Sequence, residues 1–393
     1  MLVSSLEYLR QWQAKYYSND IIIGILLALA LLPGAIAFSF IAGVSPALGL
    51  LSTSFIMMII SITGNRTLMV TAPSSGVSLV AAPIVAHHGL KYLILATLAM
   101  GIIQIIFGLC HINKVLDLIP NTVVIGFMNA LGILLFTSQL SNVFHVSIMT
   151  YVFVIISFII IWVVPKFTRI LPSPLVAIII LTLCAWYFKP DIKYVADLTT
   201  IHIMMPKLYL PLDILTMHSV GVIIFYGLMM AIVATVQTTL TARLIDELTH
   251  STSNKNRESI GQGIATIITS AVSGIGGSGL VGQSRFVVSM GVTSRITTFV
   301  TGVFLFVSLF AFSNIIGKIP MAVLATVLIT ISLTTFDRRT KSYIQAAPLK
   351  NGTVIIATMI IILASNNLAY GVLFGTIFYY TINNTFKNKG SDT

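Results

Sequence analysis

Two short polar segments interrupt otherwise apolar stretches of this 393-residue chain: Thr71-Ala-Pro-Ser-Ser-Gly-Val-Ser78 and Ser273-Gly-Ile-Gly-Gly-Ser-Gly-Leu-Val-Gly-Gln-Ser284. Each stands where a helix of about 74 to 87 or 279 to 291 would begin near the middle of a membrane. Irregular backbone at that depth survives only when it is buried in protein or lines a cavity. Two helix N-termini brought toward one point supply N–H groups without intrahelical partners and about half a positive charge each, which suits a small anion. Glycines and serines also serve close helix packing, and for Gly274, Gly276 and Gly277 both readings stand. At Ser74, Ser75, Ser278 and Gly279, hydroxyls and unwound amides coincide in both segments and favour binding.

A third group lies near the middle of a long apolar run, at Gln237, followed by Thr238, Thr239 and Thr241. Gln237 donates and accepts hydrogen bonds without bringing charge, so it can orient an anion or hold a neighbouring helix. The eleven acids, Glu7, Asp20, Asp117, Asp191, Asp197, Asp213, Asp246, Glu247, Glu258, Asp337 and Asp392, avoid the middle of every expected span. No mid-membrane carboxylate is therefore expected as a proton relay or sodium ligand. Asp246 and Glu247 read as a solvated helix end beside Arg243. Arg285 is the one cation within an expected span, there to attract an anion, to snorkel or to pair elsewhere. His87 and His88 read as interfacial and suggest no metal site, and Asn129 reads as an interhelical hydrogen-bond partner. The glycine-rich run Gly274 to Gly279 lacks the Gly-Lys-Ser/Thr of a nucleotide-binding loop.

The elements that must position these groups follow from composition. Of the residues, 56% are hydrophobic and 8% charged, against about 25% charged in a soluble domain, and the mean hydropathy is +0.99. Continuous apolar runs such as Ile21 to Leu32 and Val152 to Val164 point to helices rather than a barrel. The chain reads as an all-α polytopic membrane protein. Spans are expected near 20 to 38, 46 to 63, 73 to 87, 91 to 110, 121 to 138, 147 to 164 and 173 to 188. A second set is expected near 219 to 242, 258 to 273, 279 to 291, 296 to 314, 320 to 334, 352 to 364 and 367 to 385.

The resulting domains are a cytoplasmic N-terminal segment (1–19), a first repeat (20–188), an extracytoplasmic linker (189–218), a second repeat (219–385) and a short tail (386–393). Ile119-Pro120 and Ile319-Pro320 open the fifth and twelfth spans in step with the two polar segments. Seven spans per half would invert the second copy, the pattern of a secondary transporter. With the N-terminus inside, every Lys and Arg except Lys91, Lys189, Lys193, Lys207 and Lys318 falls on the inner side. The net charge of +11 thus reads as positive-inside bias, not nucleic-acid binding, with both termini cytoplasmic in the cell (inner) membrane. Cys110 and Cys184 read as buried free thiols.

Three stretches resemble the SulP, or sulfate permease, family: Leu32-Pro-Gly-Ala-Ile-Ala-Phe-Ser-Phe-Ile-Ala-Gly-Val-Ser-Pro-Ala-Leu-Gly49 of the first span, Asn256-Arg-Glu-Ser-Ile-Gly-Gln-Gly263 of the ninth, and Gly274 to Ser284 at the tenth. The resemblance runs from about residue 20 to 385. It implies fourteen segments in two inverted repeats of seven, with a core domain moving against a gate domain. It also implies a homodimer and an anion site between the half-helices of spans 3 and 10. That site would comprise Phe38 of span 1, Ser74 and Ser75 of span 3, Gln237 and Thr241 of span 8, and the backbone of Ser278, Gly279 and Leu280.

The chain departs from the family at Gly34 and at Gln237, where an acid is usual, and is expected to lack the C-terminal STAS domain. The neutral Gln237 leaves sodium or proton coupling uncertain and resembles an uncoupled transporter or an anion exchanger. No cofactor is expected. The expected activity is alternating-access transport of a small inorganic or carboxylate anion, bicarbonate or sulfate ahead of dicarboxylates. The rivals are a nucleobase permease of the same fold type and an anion channel. A membrane enzyme is the weakest, for want of a nucleophile, base and orienting group together in the spans.

Overall fold

The fold is known from a computed structural model that describes residues 17–112, 118–168, 171–198, 208–311, 313–365 and 367–389. Most of the expected N-terminal segment, part of the linker and the end of the tail lie outside the described residues. So do Glu7, Asp117 and Asp392.

Each of the fourteen expected spans coincides with a helix. The first half contributes α1 (Tyr17–Ile41), α2 (Pro46–Thr63), α3 (Ser75–His88), α4 (Leu90–Leu109), α5 (Asn121–Val143), α6 (Ile148–Phe167) and α7 (Ser173–Phe188). The second half contributes α8 (Met217–Thr249), α9 (Lys255–Ala271), α10 (Val281–Ser289), α11 (Ile296–Ala311), α12 (Met321–Thr335), α13 (Thr353–Ser365) and α14 (Leu368–Lys389). Among the described residues, eight helical stretches are long and apolar enough to cross a membrane, with α7 and α11 as shorter apolar helices. Fourteen crossings remain an expectation of the sequence pattern, because α3 and α10 are short and α9 is polar. Exposed Ile155, Ile159 and Trp162 on α6 are what a helix facing lipid presents, and the molecule is a multi-pass membrane protein.

The repeat is visible in local geometry. The carbonyl of Pro120 accepts from the N–H of Val123 and Val124 at the start of α5 (3.0 and 3.1 Å). The carbonyl of Pro320 accepts from Val323 and Leu324 at the start of α12 (3.1 and 3.4 Å). Proline lacks the N–H that a first turn would leave without a partner, so it suits this position in both copies.

The described residues divide into two compact units, those within 1–113 and 141–327, and those within 114–140 and 328–393. In the larger unit, α9 packs along α4, α11 along α1 and α2, and α8 along α4. The α4–α9 approach uses small residues: a Cβ built on Gly101 would stand 2.8 Å from the carbonyl oxygen of Gly263, so a larger side chain would part the helices. The two strands, β1 (Thr71–Ala72) and β2 (Ser278–Gly279), pair antiparallel, with Thr71 opposite Gly279 and Ala72 opposite Ser278. The linker is more than a polar tether, since the Tyr209 N–H donates to Ala271 at the end of α9 and the Met321 N–H donates back to Lys193. In the smaller unit, Asn129 of α5 is buried; it donates to the Thr340 hydroxyl and accepts from the Asp337 N–H, both at 3.0 Å. Asn129 is thus the interhelical partner expected of it.

Two sequence expectations need correction. Cys110 is exposed and Cys184 half-buried, both free; an apolar run marks lipid contact as readily as burial. Asp246 is not a solvated helix end. The eighth helix continues to Thr249, and Asp246 pairs there with Arg66 at 3.3 Å and Lys255 at 2.7 Å while its side chain is 12% exposed. Acids also lie buried near span ends. Asp20 accepts from the Ser294 hydroxyl, and Glu258, 1% exposed, accepts through Oε2 from the backbone N–H groups of Asn65 and Arg66. Burial holds the Arg66 guanidinium below its ordinary value, opposed by the nearby charges of Asp246 and Glu258.

Candidate functional site

The two polar segments meet. A chain held extended by Pro73 and by the glycines of 274–279 cannot continue a helix, so each segment pairs its backbone with the other as β1 and β2 before a helix begins. A Cβ on Gly277 would lie 2.5 Å from the backbone of Ala72, so only glycine allows this approach. The strands run antiparallel, and α3 and α10 begin two to three residues after them, so that both helix N-termini flank the pair.

Neither N-terminus is capped by a side chain. Ser74 is the N-cap of α3 but makes no capping bond, because its hydroxyl turns sideways to the Gln237 Oε1 at 2.9 Å. Leu280, the N-cap of α10, has no polar side chain to offer. The first-turn N–H groups of both helices are thus left without a side-chain cap. The Ser278 hydroxyl lies 2.6 Å from the Ser74 hydroxyl and 2.6 Å from the Gln237 Oε1. Its single proton serves one of these at a time. Ser74 and Ser278 are buried and Gln237 is half-buried.

The structure thus brings Ser74, Ser278 and Gln237 into one hydrogen-bonded cluster. Thr241 joins it from α8, its hydroxyl 2.8 Å from the Gln237 carbonyl and 3.1 Å from the Gly279 carbonyl. Ser75 is buried in the first turn of α3, and Leu280 is half-buried, its N–H bonded to the Val70 carbonyl at 2.8 Å. Phe38 is buried on α1, a helix that packs against α3 and α10, but it makes no hydrogen bond to the cluster. Arg285 is exposed in the second turn of α10 and is not drawn into the cluster. His87 and His88 are exposed at the end of α3, with the His88 ring 4.9 Å from that of Tyr92.

Two residues escaped the sequence reading. Thr238 Oγ1 accepts from the Gly279 N–H at 3.0 Å and donates to the Gln262 Oε1 at 2.7 Å. The Gln262 Nε2 in turn donates to the Gly277 carbonyl at 2.6 Å. Thr238 stood beside Gln237 without a role, and Gln262 lies inside the Asn256 to Gly263 stretch, where only a family likeness singled it out. Thr71 and Ser78, on β1 and α3, bury hydroxyls that have no hydrogen-bond partner among the described residues.

The comparison that decides the family is a match to the sulfate permease family model over residues 17–150 and 141–360. The chain belongs to the sulfate permease family. Within it, the chain is 40% identical over 368 residues to the putative sulfate transporter YbaR of Bacillus subtilis (strain 168), covering 94% of this chain and 77% of that protein. It is 24% identical to the bicarbonate transporter BicA of Picosynechococcus, covering 81% of this chain and 62% of that protein. Its fold is shared with the transmembrane domain of a cyanobacterial BicA, at a TM-score of 0.81 and 21% identity, over 93% of this chain and 99% of the other. These sulfate permease family relatives are transporters, not enzymes.

Proposed function

We propose that the chain is a secondary transporter of small anions, bicarbonate or sulfate first and dicarboxylates behind them, working by alternating access. The anion binds between the N-termini of α3 and α10. The observation that carries this reading is the cluster of Ser74, Ser278 and Gln237 beside two helix N-termini that no side chain caps. Hydroxyls and peptide N–H groups neutralise an anion without a buried cation, and the positive ends of the two helix dipoles add to them. Such donors do not read anion identity, so substrate choice within the class rests on size and charge. The family names carried by YbaR and BicA support sulfate and bicarbonate as the anions to try first.

A neutral residue at Gln237 fits exchange or uncoupled transport better than symport with sodium or a proton. The test is uptake of labelled sulfate, bicarbonate and succinate into liposomes under imposed sodium and proton gradients, with uracil as competitor. Saturable anion uptake is expected, unaffected by uracil. No saturable flux of any of the three would overturn the reading, uracil competition would favour a nucleobase carrier, and ohmic current would favour a channel. Gln237→Glu is expected to make uptake dependent on protons or sodium, because the carboxylate then repels the anion until it is neutralised; unchanged uptake with unchanged ion dependence would make Gln237 a packing residue.

A further inference from the structure

We infer that Thr238 and Gln262 are positioning residues that set the shape of the anion site by holding β2 from behind. This rests on the transport reading above and names the residues that give its site a fixed geometry.

The alternation of an antiparallel ladder carries the inference. The Leu280 N–H bonds to the Val70 carbonyl, which marks Val70 and Leu280 as a hydrogen-bonding pair. The next pair, Thr71 opposite Gly279, is then a non-hydrogen-bonded one. Gly279 therefore turns its N–H and C=O away from β1 and toward α8. Both are met there, the N–H by Thr238 Oγ1 at 3.0 Å and the C=O by the Thr241 hydroxyl at 3.1 Å.

Thr238 can accept from Gly279 because its own proton is committed elsewhere, to the Gln262 Oε1 at 2.7 Å. The amide of Gln262 closes the circuit by donating to the Gly277 carbonyl at 2.6 Å. The peptide groups on both sides of Ser278 are thus held by one relay through α8 and α9. Gln262 is 1% exposed and Thr238 4%, so water does not compete for these bonds, and the loss of one member leaves buried backbone groups unpaired. The relay fixes where the Ser278 hydroxyl points and where the N-terminus of α10 begins. The residue at 262 must accept from a hydroxyl and donate to a carbonyl at once, which the amide of Gln262 does at any pH.

The test uses the purified full chain, comparing wild type with Gln262→Leu, Gln262→Glu and Thr238→Val. Sulfate, bicarbonate and succinate binding are read by titration, and KM and maximal uptake in liposomes. Gln262→Leu and Thr238→Val are expected to weaken binding about tenfold or more, in KM more than in maximal rate. The double variant should lose less than the sum of the two, since both break one circuit.

Gln262→Glu separates positioning from packing. Its protonated acid has an O–H for Gly277 and a carbonyl for Thr238, whereas its carboxylate has no donor. Binding is therefore expected to recover toward wild type as pH falls. Lys255 and Glu258 line the same cleft as Gln262, and Asp246 pairs with Lys255, so the wild-type pH profile is subtracted. Wild type that binds none of the three anions overturns the transport reading and the clamp with it. Wild type that binds, with folded Gln262→Leu binding equally well, overturns the clamp alone. Should Gln262→Leu fail to fold, Thr238→Val and the pH profile of Gln262→Glu decide in the same way, and equal binding or a flat profile overturns it.

Discussion

The two strands at the candidate site each bring a serine to the cluster, Ser278 within β2 and Ser74 just after β1, yet they are held by unlike chemistry. β2 is held along its length by neutral groups, Thr238, Thr241 and Gln262, each bonded to the backbone of residues 277–279. β1 is anchored ahead of its first residue, in the loop after α2, by a buried charged group. Glu258 accepts from the Asn65 and Arg66 N–H groups, Arg66 pairs with Asp246, and Asp246 pairs with Lys255. Full charges stand at the approach to the strand, and only dipoles stand beside the serines.

The largest expected effect breaks the charged side. Glu258→Ala removes the acceptor of two buried backbone N–H groups and leaves Arg66 without one of its compensating charges. The expected loss is about 3–5 kcal/mol of stability, read as a lower unfolding midpoint of the purified chain in detergent. Glu258→Gln should lose less, since its amide oxygen still accepts. Protein of either variant that remains folded should bind anion nearly as wild type does, the reverse of what is expected for Gln262→Leu. Equal losses of affinity at Glu258 and Gln262 would dissolve the distinction between the two anchors.

A smaller effect tests the contact between the strands. In Gly277→Ala the new methyl would stand 2.5 Å from the backbone of Ala72, and because backbone cannot swing aside as a side-chain end can, the strands must part. A cost of about 1–3 kcal/mol is expected, together with weaker anion binding. Gly282→Ala, five residues along the same segment, meets nothing within 4 Å and should lie within about 0.5 kcal/mol of wild type. Matched thermal melts of the two variants check the pair. If Gly282→Ala proves the more damaging, the close strand approach is not what requires glycine.

These contrasts also mark how far the sequence can be read. The helices were legible because apolar runs bounded by Gly, Pro and charge have few other uses, and α2 and α7 begin and end where the pattern puts them. The meeting of Ser74 with Ser278 was legible because breaks in apolar runs must be buried somewhere, and two at matching places in the halves can shelter each other. Thr238 and Gln262 were not, since a threonine or glutamine on a helix declares nothing until its partner is known, and those partners lie 15 to 41 residues away. The burial of Glu258 was not legible for a related reason. A charge near a span end is ordinarily solvated, and only the fold of the α2–β1 loop over the start of α9 buries this one.

The smallest expected effect asks whether burial is what separates these charges. Lys91 at the start of α4 donates to Asp213 in the linker, as close a contact as any in the buried group, but both side chains are at least half exposed. The hydrogen bond from Lys91 holds the Asp213 carboxyl below the usual carboxylate range. A depressed folded-state value means that the pair's stabilisation is present above the ordinary carboxylate pKa and is lost as pH falls through the lowered value. Because water and salt screen an exposed pair, little is at stake even where it is fully ionised. Asp213→Asn is therefore expected to leave the unfolding midpoint at neutral pH within replicate scatter, with any residual difference from wild type vanishing in acid. Raising the salt concentration should erase that difference too, while leaving the gap between wild type and Glu258→Ala largely intact. An Asp213→Asn protein as unstable as Glu258→Ala would mean that the number of ion pairs, and not their removal from water, is what anchors the approach to β1.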